Sequence, residues 1–235
     1  MNVIKNKYGQ NVGKQVNNPP IVLGTLIQDK FFGHYVELHR IEPSSVIDDL
    51  YLISHGQGDK ESVWTYMGYG PFDSKSSMLA WLNSIEDSSE YYYYSIKDIE
   101  TDKYVGMISI MSIDLTMGRF ELGNIWYGRE YHGSNINTDV IFTLLEHGFN
   151  TCKARRIEWK CDSLNDKSKN AAVRLGFSPE GVFKNHLVYK GRTRDTAWFS
   201  IIDVEWPVIR ENYLAWYKGG QSLKALNAQL TRNND

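Results

Sequence analysis

Residues 155–177 read "RRIEWKCDSLNDKSKNAAVRLGF". The first part has the periodicity of a strand, and Asn165 then stands where a side chain can cap a helix over "DKSKNAAVRL". Gly176 follows in the position expected for a left-handed C-terminal residue. Upstream, Val140, Ile141, Leu144, Leu145, Gly148 and Phe149 recur at helical spacing, preceded by the turn-rich "HGSNINTD" (132–139) and a strand "RFELGNIWYG" (119–128). The order strand, helix, strand, helix therefore occupies the middle of the chain.

Further upstream, "EYYYYSIKD" (90–98) and "KYVGMISIMSID" (103–114) read as strands, and the linkers "IETD" and "LTMG" are short enough for hairpins, so an antiparallel meander is expected. Within the first of these strands, Tyr91 to Tyr94 should bury two rings and expose two. Before the meander come two strand-like runs, "IVLGTLIQ" and "HYVELHRI", a helix over "SSVIDDLYLISHG", an aromatic loop "SVWTYMGYGPF", and a helix capped by Asp73. Downstream, "EGVFKNHLVYKGRTRDTAWFSIID" reads as a last hairpin. The expected fold is α/β (α+β): a mixed sheet, antiparallel in its N-terminal part and flanked by helices. Residues 1–20 read as a flexible arm, 21–206 as the domain, and 207–235 as a helical extension with a polar tail.

The chain has 235 residues, 42% of them hydrophobic, which is enough for a substantial core. With 26 Lys plus Arg against 28 Asp plus Glu, no strong field points at nucleic acid or a membrane surface. Two cysteines, Cys152 and Cys161, fit reduced core thiols. No run approaches the ~20 apolar residues of a membrane span, so a cytoplasmic protein, monomer or homodimer, is expected.

Some residues invite two readings. "HGSNINTD" suffices as a plain helix entry, yet a helix N-terminus with free N–H groups can also seat a phosphate. Trp64, Tyr66, Tyr69 and Phe72, interrupted by Gly68, Gly70 and Pro71, suit either a pocket wall or a loop folding its rings into the core. If the last hairpin turns at Lys190-Gly191, residues equidistant from the turn face each other, which pairs His186 with Asp195. A carboxylate there would orient the ring and raise its pKa, either as a structural pair or as a base able to take a proton from an ammonium group.

The strings "IEWKCDSLNDKSKNAAVRLGFSPEGVFKNH" and "KGRTRDTAWFS", with the strand–turn–helix before them, resemble the GNAT acyl-CoA N-acyltransferases, most closely their RimJ/RimL-type branch, over roughly residues 21–206. That resemblance implies an N-acyltransferase, acetyl-CoA or another acyl-CoA as co-substrate, no metal, and a primary amine acceptor, either a small molecule or a protein N-terminus. Direct attack in a ternary complex is the implied route. A catalytically weak acyl-CoA-binding or protein-interaction module is the alternative.

The family's pyrophosphate loop, Gln/Arg-x-x-Gly-x-Gly/Ala, falls on His132, Gly133, Ser134, Asn135, Ile136 and Asn137, followed by Thr138. Here His132, Asn135 and Asn137 depart from the pattern. Asn135 tolerates positive φ and so can make the turn, while the carboxylate of Asp139 would repel a nearby anion. By the same resemblance, backbone groups of Ile125, Trp126 and Tyr127 pair with the pantetheine arm and can stabilise an oxyanion. Asn165 and Ser168 match the family's Asn-x-x-Ser; Asn165 is equally a cap, and Ser168 can donate to the departing sulfur. His186 with Asp195 is then the candidate base, and Trp64, Tyr66, Tyr69 and Phe72 the candidate acceptor wall.

Overall fold

The computed structural model describes residues 4–17 and 20–230. The remaining positions of the N-terminal arm, and the end of the polar tail, lie outside the described residues. Strands β1 (Ile4–Lys5) and β2 (Asn11–Val12) form a small exposed hairpin. The rest builds one eight-stranded sheet.

In chain order its elements are α1 (Leu23–Leu26), β3 (Lys30–Phe32), β4 (Val36–Arg40), α2 (Pro43–Ser54), α3 (Lys75–Glu86), β5 (Tyr91–Asp98), β6 (Lys103–Asp114) and β7 (Arg119–Tyr127). There follow α4 (Ile136–Glu146), β8 (Arg156–Asp162), α5 (Asp166–Arg174), β9 (Ser178–Tyr189), β10 (Arg192–Ile202), α6 (Trp206–Tyr217) and α7 (Leu223–Asn227). The strand order is β3-β4-β5-β6-β7-β8-β10-β9, and only β7 and β8 run parallel. This is the mixed sheet expected. Among the described residues, no helix is long and apolar enough to cross a membrane.

Helices cover both faces. α4, α5 and α6 bury Val140, Ile141, Leu144, Ala172 and Tyr213 against Ile108, Ile110, Phe120 and Leu122, which defines one face. α2 and α3 bury Val46, Leu50, Met78 and Leu82 against Tyr93, Met107 and Trp126 on the other. Because β5 lies between two covered faces, the tyrosine run does not alternate between core and solvent: Tyr93 and Tyr94 are both buried, one on each side, and Tyr91 and Tyr92 are half-buried.

Two further expectations are corrected. Residues 21–28 form no strand; their regular structure is the single helical turn Leu23–Leu26, because only Ile21 and Leu26 are drawn inside and the Gln28 amide caps the carbonyls of Gly24 and Thr25. α3 is capped by Ser74, not Asp73: the Ser74 hydroxyl accepts the Ser77 N–H, and Ser77 Oγ accepts the Ser74 N–H.

Candidate active site

β7 and β8 pair only over Arg119–Glu121 and Arg156–Glu158. Beyond that, β7 is held by β6 as far as Tyr127, and β8 by β10 as far as Asp162, so the two strands diverge with their inner edges unpaired. Asn124 produces the divergence. It sits at φ 53° in a bulge, with its amide donating to Ser109 Oγ at 2.9 Å. Gly106 on β6 is required there, since a Cβ would lie 2.2 Å from the Trp126 carbonyl oxygen. The inner-edge groups of residues 122–127, which include the predicted Ile125, Trp126 and Tyr127, thus lack a strand partner.

Pairing register assigns side chains to the two sides of this gap. Tyr127, Trp159 and Cys161 lie on the α4/α5 face, while Trp126, Glu121, Lys160, Asp162 and Trp198 lie on the α2/α3 face.

On the α4/α5 face, the loop before α4 turns at Gly133, φ 81°. Asn135 is right-handed, φ −72°, so it does not supply the turn as expected; Gly133, two residues earlier, already does. Exposed His132 leads into that turn, and Ser134 Oγ donates to the Tyr131 carbonyl at 2.7 Å. Ile136 is buried, and its N–H donates to Ser134 Oγ. Among the described residues, the backbone N–H groups of Gly133, Asn135, Asn137 and Thr138 meet no acceptor. Asn137 turns inward, accepting from the Tyr127 hydroxyl at 3.0 Å.

The carboxylate expected to repel an anion is turned away. Asp139 is fully buried and accepts the N–H groups of His34, Tyr35 and Val36 and the hydroxyl of Tyr217. The loop therefore presents free donors with no acid among them, a fit for the diphosphate of a coenzyme A thioester. Asn165 caps α5 by accepting the Ser168 N–H at 3.1 Å, and Ser168 Oγ accepts the Trp159 indole N–H at 3.0 Å. One side chain that the sequence did not single out also reaches this face: Arg174 Nη1 donates to Thr138 Oγ1 at 2.8 Å.

The α2/α3 face carries the predicted acceptor residues. Trp64 is core, 0% exposed, with its N–H on the Ser54 carbonyl and its ring 4.8 Å from Trp126. Tyr69 stacks on Trp81, and burial holds its hydroxyl well above the usual phenol range. Phe72 packs between Trp64 and Trp81. Tyr66 reaches out of this cluster to the Leu164 carbonyl at the end of β8. The tip of the β9–β10 hairpin comes to the same place: Lys190 Nζ donates to the Trp64 carbonyl at 2.7 Å and the Tyr189 hydroxyl to Asp162 at 2.8 Å.

At the apex of the gap, Lys160 lies 2.8 Å from Glu121 and 2.9 Å from Glu158, and 4.0 Å over the Trp198 ring. Burial pushes the Glu158 carboxyl up, but hydrogen bonds from Arg156 and Lys160 outweigh it and hold the group below its ordinary value.

The hairpin does turn at Lys190-Gly191, and residues 192–194 face 189–187 as expected. The His186–Asp195 pair does not form. Asn185, at φ 48°, opens a bulge, Thr196 faces Phe183, and Asp195 accepts the Asn185 N–H instead. His186 Nδ1 lies 3.0 Å from Thr196 Oγ1, so a neutral hydroxyl orients the ring in place of a carboxylate. The ring is on the α2/α3 face with Thr196 and Trp198, whereas Ser168 is on the other, and the predicted catalytic residues are not one cluster.

A family model described as an acetyltransferase (GNAT) domain matches residues 38–178. A GCN5-related N-acetyltransferase from Brucella melitensis, known by its crystal structure, is 30% identical with a TM-score of 0.84, covering 90% of this chain and 99% of that one. The protein named "Uncharacterized N-acetyltransferase p20" from Bacillus licheniformis is 29% identical over 147 residues, 61% of this chain and 82% of that protein. The microcin C7 self-immunity acetyltransferase MccE, solved with acetyl-CoA and AMP, shares the fold at 22% identity and a TM-score of 0.62, covering 72% of this chain and 93% of that one.

Proposed function

This chain belongs to the acetyltransferase (GNAT) family, and we propose that it transfers an acetyl group from acetyl-CoA to a primary amine by direct attack, with the donor on the α4/α5 side of the gap and the acceptor on the α2/α3 side. The observation that carries this reading is the divergence of β7 and β8 beyond Glu121 and Glu158, the opening through which the two faces meet. The bound coenzyme supplies an activated thioester. The free N–H groups of residues 133–138 hold its diphosphate, and unpaired main-chain groups of Ile125, Trp126 and Tyr127 fix the arm and stabilise the developing oxyanion. Ser168, whose oxygen accepts from Trp159 and whose hydroxyl lies within hydrogen-bond reach of the Cys161 thiol, turns its O–H to the departing sulfur. His186, oriented by Thr196, takes the proton of the acceptor ammonium, directly or through water.

The acceptor lies beside the junction of the aromatic loop and the hairpin tip, against Tyr66 and the half-buried rings of Tyr69 and Phe72, with Trp64 in the core behind them. The resemblance to the RimJ/RimL-type branch, together with relatives whose names describe ribosomal-protein acetylation, supports a protein N-terminus over a small amine. The free thiols Cys152 and Cys161 support action in the cytoplasm.

The test is thiol release from acetyl-CoA across a panel of N-terminal peptides, lysine peptides and small amines, with the N-acetyl product weighed by mass spectrometry. Release that depends on an N-terminal peptide supports the reading; release with none of the panel overturns it. With an active acceptor in hand, His186→Ala should lower turnover on the order of a hundredfold and alter the pH–rate profile. An unchanged profile removes His186 from the mechanism.

A further inference from the structure

Arg174 ends α5, yet its guanidinium lies beside the first turn of α4, where Nη1 bonds Thr138 Oγ1 at 2.8 Å. Thr138 is buried, and Tyr127, whose hydroxyl bonds Asn137, lies close enough to feel the Arg174 charge. Among the described residues no carboxylate pairs with Arg174; the one acid in the first turn of α4, Asp139, is spent on three backbone N–H groups of residues 34–36 and the Tyr217 hydroxyl. Burial pulls the guanidinium below its ordinary pKa, but an arginine stays charged.

Two positive features thus share one place, a partly buried cation and a helix N-terminus with unsatisfied N–H groups, with no negative charge between them. That juxtaposition is unfavourable until an anion arrives, and a guanidinium presents further donors in a fork suited to two phosphate oxygens. The adjoining loop, 132–137, contains no Lys or Arg of its own.

We propose that Arg174 is a binding residue for the acyl donor, pairing with its diphosphate beside the free N–H groups of the loop and first turn of α4. The proposal rests on the donor being acetyl-CoA and deepens that reading. It also selects the donor class: a diphosphate ester is held, and a thioester on pantetheine alone loses this contact.

The test compares wild type with Arg174→Gln and Arg174→Met by calorimetric titration with CoA, 3′-dephospho-CoA and pantetheine. The methionine variant keeps an apolar stem in case glutamine packs badly, and thermal unfolding without ligand checks that each variant folds. The expected result is a loss of affinity on the order of tenfold or more for CoA and 3′-dephospho-CoA alike, with pantetheine binding unchanged. Equal weakening toward all three ligands assigns Arg174 a structural role and overturns the proposal. Weakening toward CoA alone assigns it to the 3′-phosphate and overturns it too, as does full affinity in both variants. Wild type that fails to bind CoA defeats the donor assignment itself, an outcome distinct from these.

Discussion

His55 follows the C-terminus of α2, and its hydrogen bonds fix its protonation state. The Phe72 N–H donates to Nε2 at 3.0 Å, which requires an unprotonated nitrogen. Nδ1 lies 2.9 Å from Ser54 Oγ, whose own proton goes to the Leu50 carbonyl, so Nδ1 carries the hydrogen. Burial lowers the His55 pKa, and the nearby Glu61 charge raises it by less. The sign follows: the native ring binds its proton at lower pH than an unfolded histidine, so acid favours the unfolded chain. The contribution of His55 to stability is therefore complete above about pH 7 and is lost as pH falls below the unfolded value of about 6.5. Melting temperatures from pH 7.5 to 5.5 should fall more steeply for wild type than for His55→Gln; parallel slopes would contradict this. The expected consequence reaches the aromatic loop, because Phe72 and Trp64 pack on the same ring.

At the scale of elements, the sheet order of the meander was legible because each strand carries its own periodicity and each linker is short. What was not legible was the count of residues between paired positions. The Lys190-Gly191 turn was readable, but the extra residues at Asn185 separate His186 from Asp195, and nothing local marks an asparagine in a strand as left-handed. Asn124 on β7 is the same kind of feature, and it opens the gap. Arg174 was missed for a related reason: its partner Thr138 lies 36 residues away, on another helix. The bulged end of β7 makes a specific demand on β6. Gly106→Val would place a side chain against the Trp126 carbonyl and push the end of β7 into the gap. Acetyl-CoA affinity should fall at least about tenfold, well beyond what the loss in melting temperature accounts for; unchanged affinity in a folded variant would contradict it.

The whole molecule is a sheet opened at one seam. Both faces are helix-covered, and the buried Glu121–Lys160–Glu158 network closes the apex where the pairing of β7 and β8 ends. Such a network is weak grounds for stability, but leaving either glutamate buried without its lysine is costly, so it fixes where the seam stops. Past that point each strand is held only from outside, and donors from two helices and one loop face the opening. The family was legible in the long C-terminal match, whereas the division of the site residues between the two faces, on which the proposed coenzyme and acceptor sides rest, required the register. The most direct test is backbone hydrogen exchange with and without saturating acetyl-CoA. The account predicts slowed exchange concentrated in residues 122–127, 133–138 and 165–168. Binding that leaves these segments unprotected, or that protects the outer strands β3 and β9 instead, would contradict it.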